Sequence, residues 1–153
     1  MPNPGLTLDT KAAFASVLRF DRELLAQAEV AAKAATVSGV SNLLARLEGH
    51  SNNPERIDTS QLHDNWALAA AQATGKSVGT TSAAGPGAGV GSITIKGKKV
   101  QVDLFNIAPY ADYVEYGTPK MQAGYHVTDS LRDTNDNSAL FLDPAMQAAW
   151  GAA

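Results

Sequence analysis

The chain has 153 residues, twelve basic and fifteen acidic side chains for a net charge of −3, and no cysteine. That length suits one domain with its own core, and the missing thiols exclude disulfides and thiolate metal sites. No run reaches the roughly twenty apolar residues of a membrane span, the opening Met1-Pro-Asn-Pro-Gly5 lacks the regions of a signal peptide, and the acidic balance argues against an independent nucleic-acid binder.

The first predicted element is a long helix over residues 8–49, proline-free, rich in alanine and leucine, capped by Asp9 and stopped by Gly49. Phe14, Val17, Leu18, Leu25, Ala28, Ala32 and Ala35 follow the three-four spacing of one face, resumed by Val40, Leu43, Leu44 and Leu47. Such a helix spans about 60 Å at a rise of roughly 1.5 Å per residue, more than a domain of this size covers, with Thr36 to Gly39 as a potential kink. Part of its stripe, including Leu18 and Leu25, therefore calls for another subunit.

Ser51-Asn-Asn-Pro54 is a turn, Asp58 or Thr59 can cap a short helix, and Trp66 to Ala73 suits either its continuation or a strand, since alanine favours one and alternation the other, the favoured reading being a short helix feeding a strand. Thr74 to Ser92, with its run Gly85-Pro-Gly-Ala-Gly-Val-Gly91, reads as a mobile loop within a β-hairpin. Between Ile93-Thr-Ile95 and Val100-Gln-Val102, the cluster Lys96-Gly-Lys98-Lys99 is expected to be a tight turn with solvated lysines, with contact to DNA the lesser reading.

The densest signal is Asn106-Ile-Ala-Pro-Tyr-Ala-Asp-Tyr-Val-Glu-Tyr-Gly117. Asn106 and Pro109 suit a loop entering a helix, and Gly117 suits its stop. Tyr110, Tyr113 and Val114 are spaced to share a face, with Asp112, Glu115 and Tyr116 directed elsewhere. The tyrosines either close a small core or form a protein interface. Thr118 to Asn137 reads as irregular and polar, and Pro144 suits the first turn of a short helix ending near Trp150, within a C-terminal segment 138–153.

Signatures of chemistry are sparse. The glycine run lacks the lysine-serine ending of a phosphate loop and the spacing of a dinucleotide fingerprint. His50, His63 and His126 lack partners at helical ligand spacing, and no glycine-x-serine-x-glycine motif occurs. Asp58, Asp64, Asp112 and Glu115 suit caps or solvated faces better than acid/base work. The expectation is a protein without cofactor, metal or catalytic residue, the rival being a small enzyme built on an acidic pair such as Asp64 and Glu115.

Thr59-Ser-Gln-Leu-His-Asp-Asn-Trp66, followed by the Asn106–Gly117 block and by the loop Lys120 to Val127, resembles the neck and tail-completion proteins of long-tailed bacteriophages. The resemblance covers roughly residues 55–130. Gln61 and His63 replace a glycine and a basic residue often seen there, and the Gly85–Gly91 loop is expanded. It implies an α+β subunit, a long N-terminal helix packed on a twisted antiparallel sheet with short helices and a long glycine-rich hairpin loop. It further implies a homo-oligomeric, hexameric ring at the head–tail junction of the virion, between a head-closure or portal-connector protein and a tail tube or tail terminator, with DNA passing through its lumen without specific binding. Trp66, Tyr110, Tyr113, Glu115, Tyr116, Leu18 and Leu25 are the interface candidates. A tail terminator or head-closure protein of the same junction is the alternative within that setting.

Overall fold

Apolar residues at helical spacing and one alternating β segment build an α+β fold, in which a long N-terminal helix carries short helices and a two-stranded antiparallel hairpin. The computed structural model describes residues 10–49, 59–78 and 89–152. The expected caps Asp9 and Asp58, the Ser51–Pro54 turn, His50 and residues 79–88 of the glycine-rich stretch lie outside them, as does the side chain of Phe14.

Helix α1, Thr10–Gly49, ends at its glycine and runs unbroken through the expected kink at Thr36–Gly39. Thr36 Oγ1 donates to the Ala32 carbonyl at 2.7 Å, so its hydroxyl is satisfied within the helix. Gly39 serves packing: a Cβ there would lie 2.8 Å from Thr134 Oγ1 of a neighbouring helix. Val40, Leu43, Leu44 and Leu47 form one side of the core, with burial worth roughly 1.5–3 kcal/mol per large side chain.

Helix α2, Thr59–Thr74, supplies the facing Leu62, Ala67 and Ala70. It continues through Trp66 to Ala73, the continuation that alanine favours and not the change to strand that alternation favours. Alternation misled there because buried alanines face both α1 and the sheet. Their small size lets strand β1, Val90–Lys96, lie directly on α2. A Cβ at Gly89 would fall 1.8 Å from the Asn65 carbonyl oxygen, and one at Gly91 would fall 1.8 Å from that of Ala69. A four-residue step on a helix and a two-residue step on a strand both advance roughly 6 Å, so the two spacings match. Gly89 and Gly91 therefore belong to packed structure, contrary to the loop reading that ran to Ser92.

Strand β2, Lys99–Phe105, pairs antiparallel with β1 in the register Val90↔Phe105 to Lys96↔Lys99. Gly97, at φ +60°, makes the expected lysine turn. The glycine-rich stretch enters between α2 and β1, ahead of this hairpin.

Helix α3, Ala111–Tyr116, stops at Gly117, whose N–H donates to the Tyr113 carbonyl at 2.8 Å. The segment read as irregular from Thr118 to Asn137 contains helix α4, His126–Asp136, which lies along α1. Helix α5, Ala139–Ala152, packs its Ala145 and Ala149 on α1. Pro144 sits inside α5, not in its first turn, because the helix begins earlier, on tight backbone bonds from Leu140, Phe141 and Leu142 to Asn137 and Ser138.

Candidate functional site

The tyrosine block folds as a turn clamped from both sides. Asn106 Nδ2 donates to the Leu62 carbonyl at 2.8 Å, while its Oδ1 accepts from Ala108 N–H at 3.0 Å and from Asn65 Nδ2 at 3.2 Å. The entry to α3 is thereby tied to α2. Tyr110, Ala111 and Val114 then turn inward onto the core. The expected common face of Tyr110, Tyr113 and Val114 is not formed: six residues provide one inward stripe, and Tyr113 falls outside it. Tyr113 and Tyr116 are 57% and 68% exposed.

Glu115 is buried and is removed from the exposed candidates by its partners. Its carboxylate accepts the Val127 and Thr128 N–H groups, each at 2.9 Å, and the Thr128 hydroxyl at 2.6 Å. It therefore caps α4 from outside that helix, where local sequence provides no capping side chain. Burial pushes the Glu115 carboxyl up, but hydrogen bonds from the Thr128 hydroxyl and the two backbone N–H groups, with the charge of His126 nearby, outweigh it and leave the carboxyl below the usual glutamate range.

The chain between them is folded back just as closely. Gly124 N–H donates to the Val114 carbonyl and Tyr125 N–H to that of Glu115, both at 3.0 Å, and Thr118 and Met121 exchange backbone bonds. A Cβ at Gly117 would meet Met121 O at 2.6 Å, and one at Gly124 would meet His126 Nε2 at 2.5 Å. Tyr125 takes the left-handed conformation, φ 50°, immediately before α4. Glu115, Gly117 and Gly124 thus form the frame that presents Tyr113, Tyr116 and Tyr125 to solvent.

A second exposed surface lies on the first half of α1 and on α5. Leu18 is half exposed and Leu25 partly buried, and they are joined by exposed Val17 and Val30. Phe20 meets Trp150 edge to face, with ring centroids 5.5 Å apart, yet Trp150 remains 76% exposed. Leu142, Met146 and Trp150 follow a four-residue spacing beside the buried Ala145 and Ala149. That pattern is visible in the sequence as an apolar stripe at four-residue spacing.

Trp66 is half buried and packs against the core. It lines a largely apolar groove of about 510 Å³ between α1, β2 and α4, with Val40, Val102, Val127 and Leu131 among its walls and the buried Ser130 beside them.

Of the acidic and histidine candidates, Asp112 is exposed and Asp64 is buried next to His63. His63 Nδ1 lies 3.2 Å from Asp64 Oδ1, and its Nε2 lies 3.2 Å from Glu48 Oε1, joining α2 to the end of α1. Among the described residues no three His, Cys, Asp or Glu side chains converge to hold a metal ion, and no helix is long and apolar enough to cross a membrane.

No protein-family model matches the chain, and neither a curated protein nor a solved structure shows significant similarity to it.

Proposed function

We propose that the chain is a structural subunit of the head–tail junction of a long-tailed bacteriophage, assembling with copies of itself into a neck or tail-completion ring. The observation that carries this reading is the frame around the tyrosine turn. The residues behind the resemblance, Glu115, Gly117 and Gly124, are those whose bonds and close approaches hold Tyr113, Tyr116 and Tyr125 outward. Tyrosine held rigidly at a surface gives large contact area at low entropic cost, which suits protein interfaces.

Two other features support it. The apolar strip along the first half of α1 and α5 is a surface that gains from a neighbour, and the groove beside Trp66 is a separate apolar concavity on the same molecule. Different patches meeting head to tail generate closed rings when the rotation closes. Sixfold order, the virion location and the flanking head-closure, connector, terminator or tube proteins come from the resemblance alone.

Light scattering of the purified protein, alone and mixed with phage tail tubes, tests this, together with negative-stain imaging of the mixture. Rings, or subunits capping tube ends, are the expected result. A monomer indifferent to tubes would remove the reading.

A further inference from the structure

We propose that the tip of the β1–β2 hairpin is a contact for the phosphate backbone of double-stranded DNA. Lys96, Lys98 and Lys99 lie around a two-residue turn, all exposed, with Lys96 directly opposite Lys99 in the strand register. Like charges in that position destabilise a pair of strands. The opposed pair therefore costs the fold something that an arriving anion would offset.

Among the described residues one ion pair offsets part of the charge at the tip. It joins Lys98 Nζ to Asp21 Oδ2 of α1 at 2.7 Å, and both partners are exposed enough for water to weaken it. Among the described residues neither Lys96 nor Lys99 has a carboxylate partner. Alternate residues share a side of the ribbon, so Lys96 and Lys99 stand in line with Thr94 and Ser92, whose hydroxyls also suit phosphate oxygens. Asp103, the one carboxylate on that side, is held by Gln101 Nε2 at 2.9 and 3.0 Å, away from the tip.

The net charge of −3 argues against strong independent binding but leaves room for weak contact at the tip. At ordinary salt, charges beyond roughly 10 Å are screened, so a phosphate at the tip meets the lysines and not the average of the molecule. Three such contacts make for weak, sequence-independent attachment in one subunit, multiplied where several subunits face one duplex. The proposal rests on the head–tail reading only for where the DNA is met.

The test is fluorescence anisotropy of a labelled DNA duplex titrated with the full chain at low and rising salt, with light scattering on the same samples. Binding is expected at low salt, with log K falling against log salt at a slope approaching about −2.7 for three phosphates. The double variant K96Q/K99Q should fold at least as stably as the parent, since it removes the opposed charges, and should weaken binding several-fold while bringing the slope to about −1. No binding at low salt, or binding unchanged in the variant, overturns the proposal. Displacement of the duplex more readily by polyglutamate than by unlabelled duplex at equal charge concentration also overturns it, assigning the tip to an acidic protein surface. Lysine-dependent DNA binding in a protein that neither forms rings nor caps tubes would uphold the tip and remove the head–tail reading. Rings that ignore DNA would do the reverse.

Discussion

The two halves of α1 are one helix in backbone and two in environment. From Ala31 to Leu47 it buries Ala31, Thr36, Val40, Leu43, Leu44 and Leu47, the last four in the core with α2, whereas from Val17 to Val30 no described side chain is fully buried. The apolar spacing barely changes along the helix. What changes is the number of elements around it: the second half meets α2, β2 and α4, while contacts to the first include α5 and the lysine turn. Apolar periodicity thus records which face wants burial and says nothing of whether the same chain provides it.

Substitutions can break this contrast. Leu43→Ala, in the buried half, should lose about 2–5 kcal/mol of stability in urea unfolding, since the cavity lies among close-packed side chains. Gly91→Val comes next: its Cβ would overlap the Ala69 carbonyl, forcing β1 off α2 at a cost of roughly 1–3 kcal/mol, measurable by thermal melting. A stability as high as the parent's would mean, for Leu43→Ala, that the two halves are not built differently and, for Gly91→Val, that β1 does not lie directly on α2.

Glu115→Gln sharpens the comparison at the frame of the tyrosine turn. It should cost about 1–3 kcal/mol at neutral pH, because charge-assisted bonds to the start of α4 become weaker neutral ones. The folded carboxyl lies below its ordinary value of 4.5, so its contribution is fully present above that value and is lost as pH falls through the lower folded one. Parent and variant should therefore converge in stability on acidification below about pH 4.5, and curves that stay parallel would show that the carboxylate charge is not involved.

The smallest expected effect on folding belongs to the open half. Leu18→Ser and Trp150→Ser should each change stability by less than about 1 kcal/mol while reducing assembly in light scattering, because these side chains are largely exposed in the single chain. A large loss of stability with unchanged assembly would make the strip part of the subunit's own core.

Elements specified by their own residues were legible in the sequence. The long helix carries its stop at Gly49, the hairpin its alternation and Gly97, and α3 its stop at Gly117. What escaped was specified at a distance. Helix α4 begins on a cap lent by Glu115, so its own sequence reads as a polar loop. Gly89 and Gly91 have the composition of a linker, and only the α2 carbonyls beside them reveal packing. The exposed tyrosines were found but mis-sorted: Tyr113 faces solvent while Tyr110 faces the core, a division set by a helix too short for two apolar faces. Trp150 was read only as the end of a helix, whereas it lies against Phe20 of α1.

That meeting of Phe20 and Trp150 brings together positions near opposite ends of the chain. Contacts between α1 and α2 close a short loop, whereas among the described residues α5 docks on α1 across a long sequence separation, and the entropy of closing it must be met first. Folding should then proceed from the Leu43 end outward, with α5 arriving last. In the native protein the same order runs in reverse: amide hydrogens of α5 and of the first turns of α1 should exchange through local openings, well before those near Leu43.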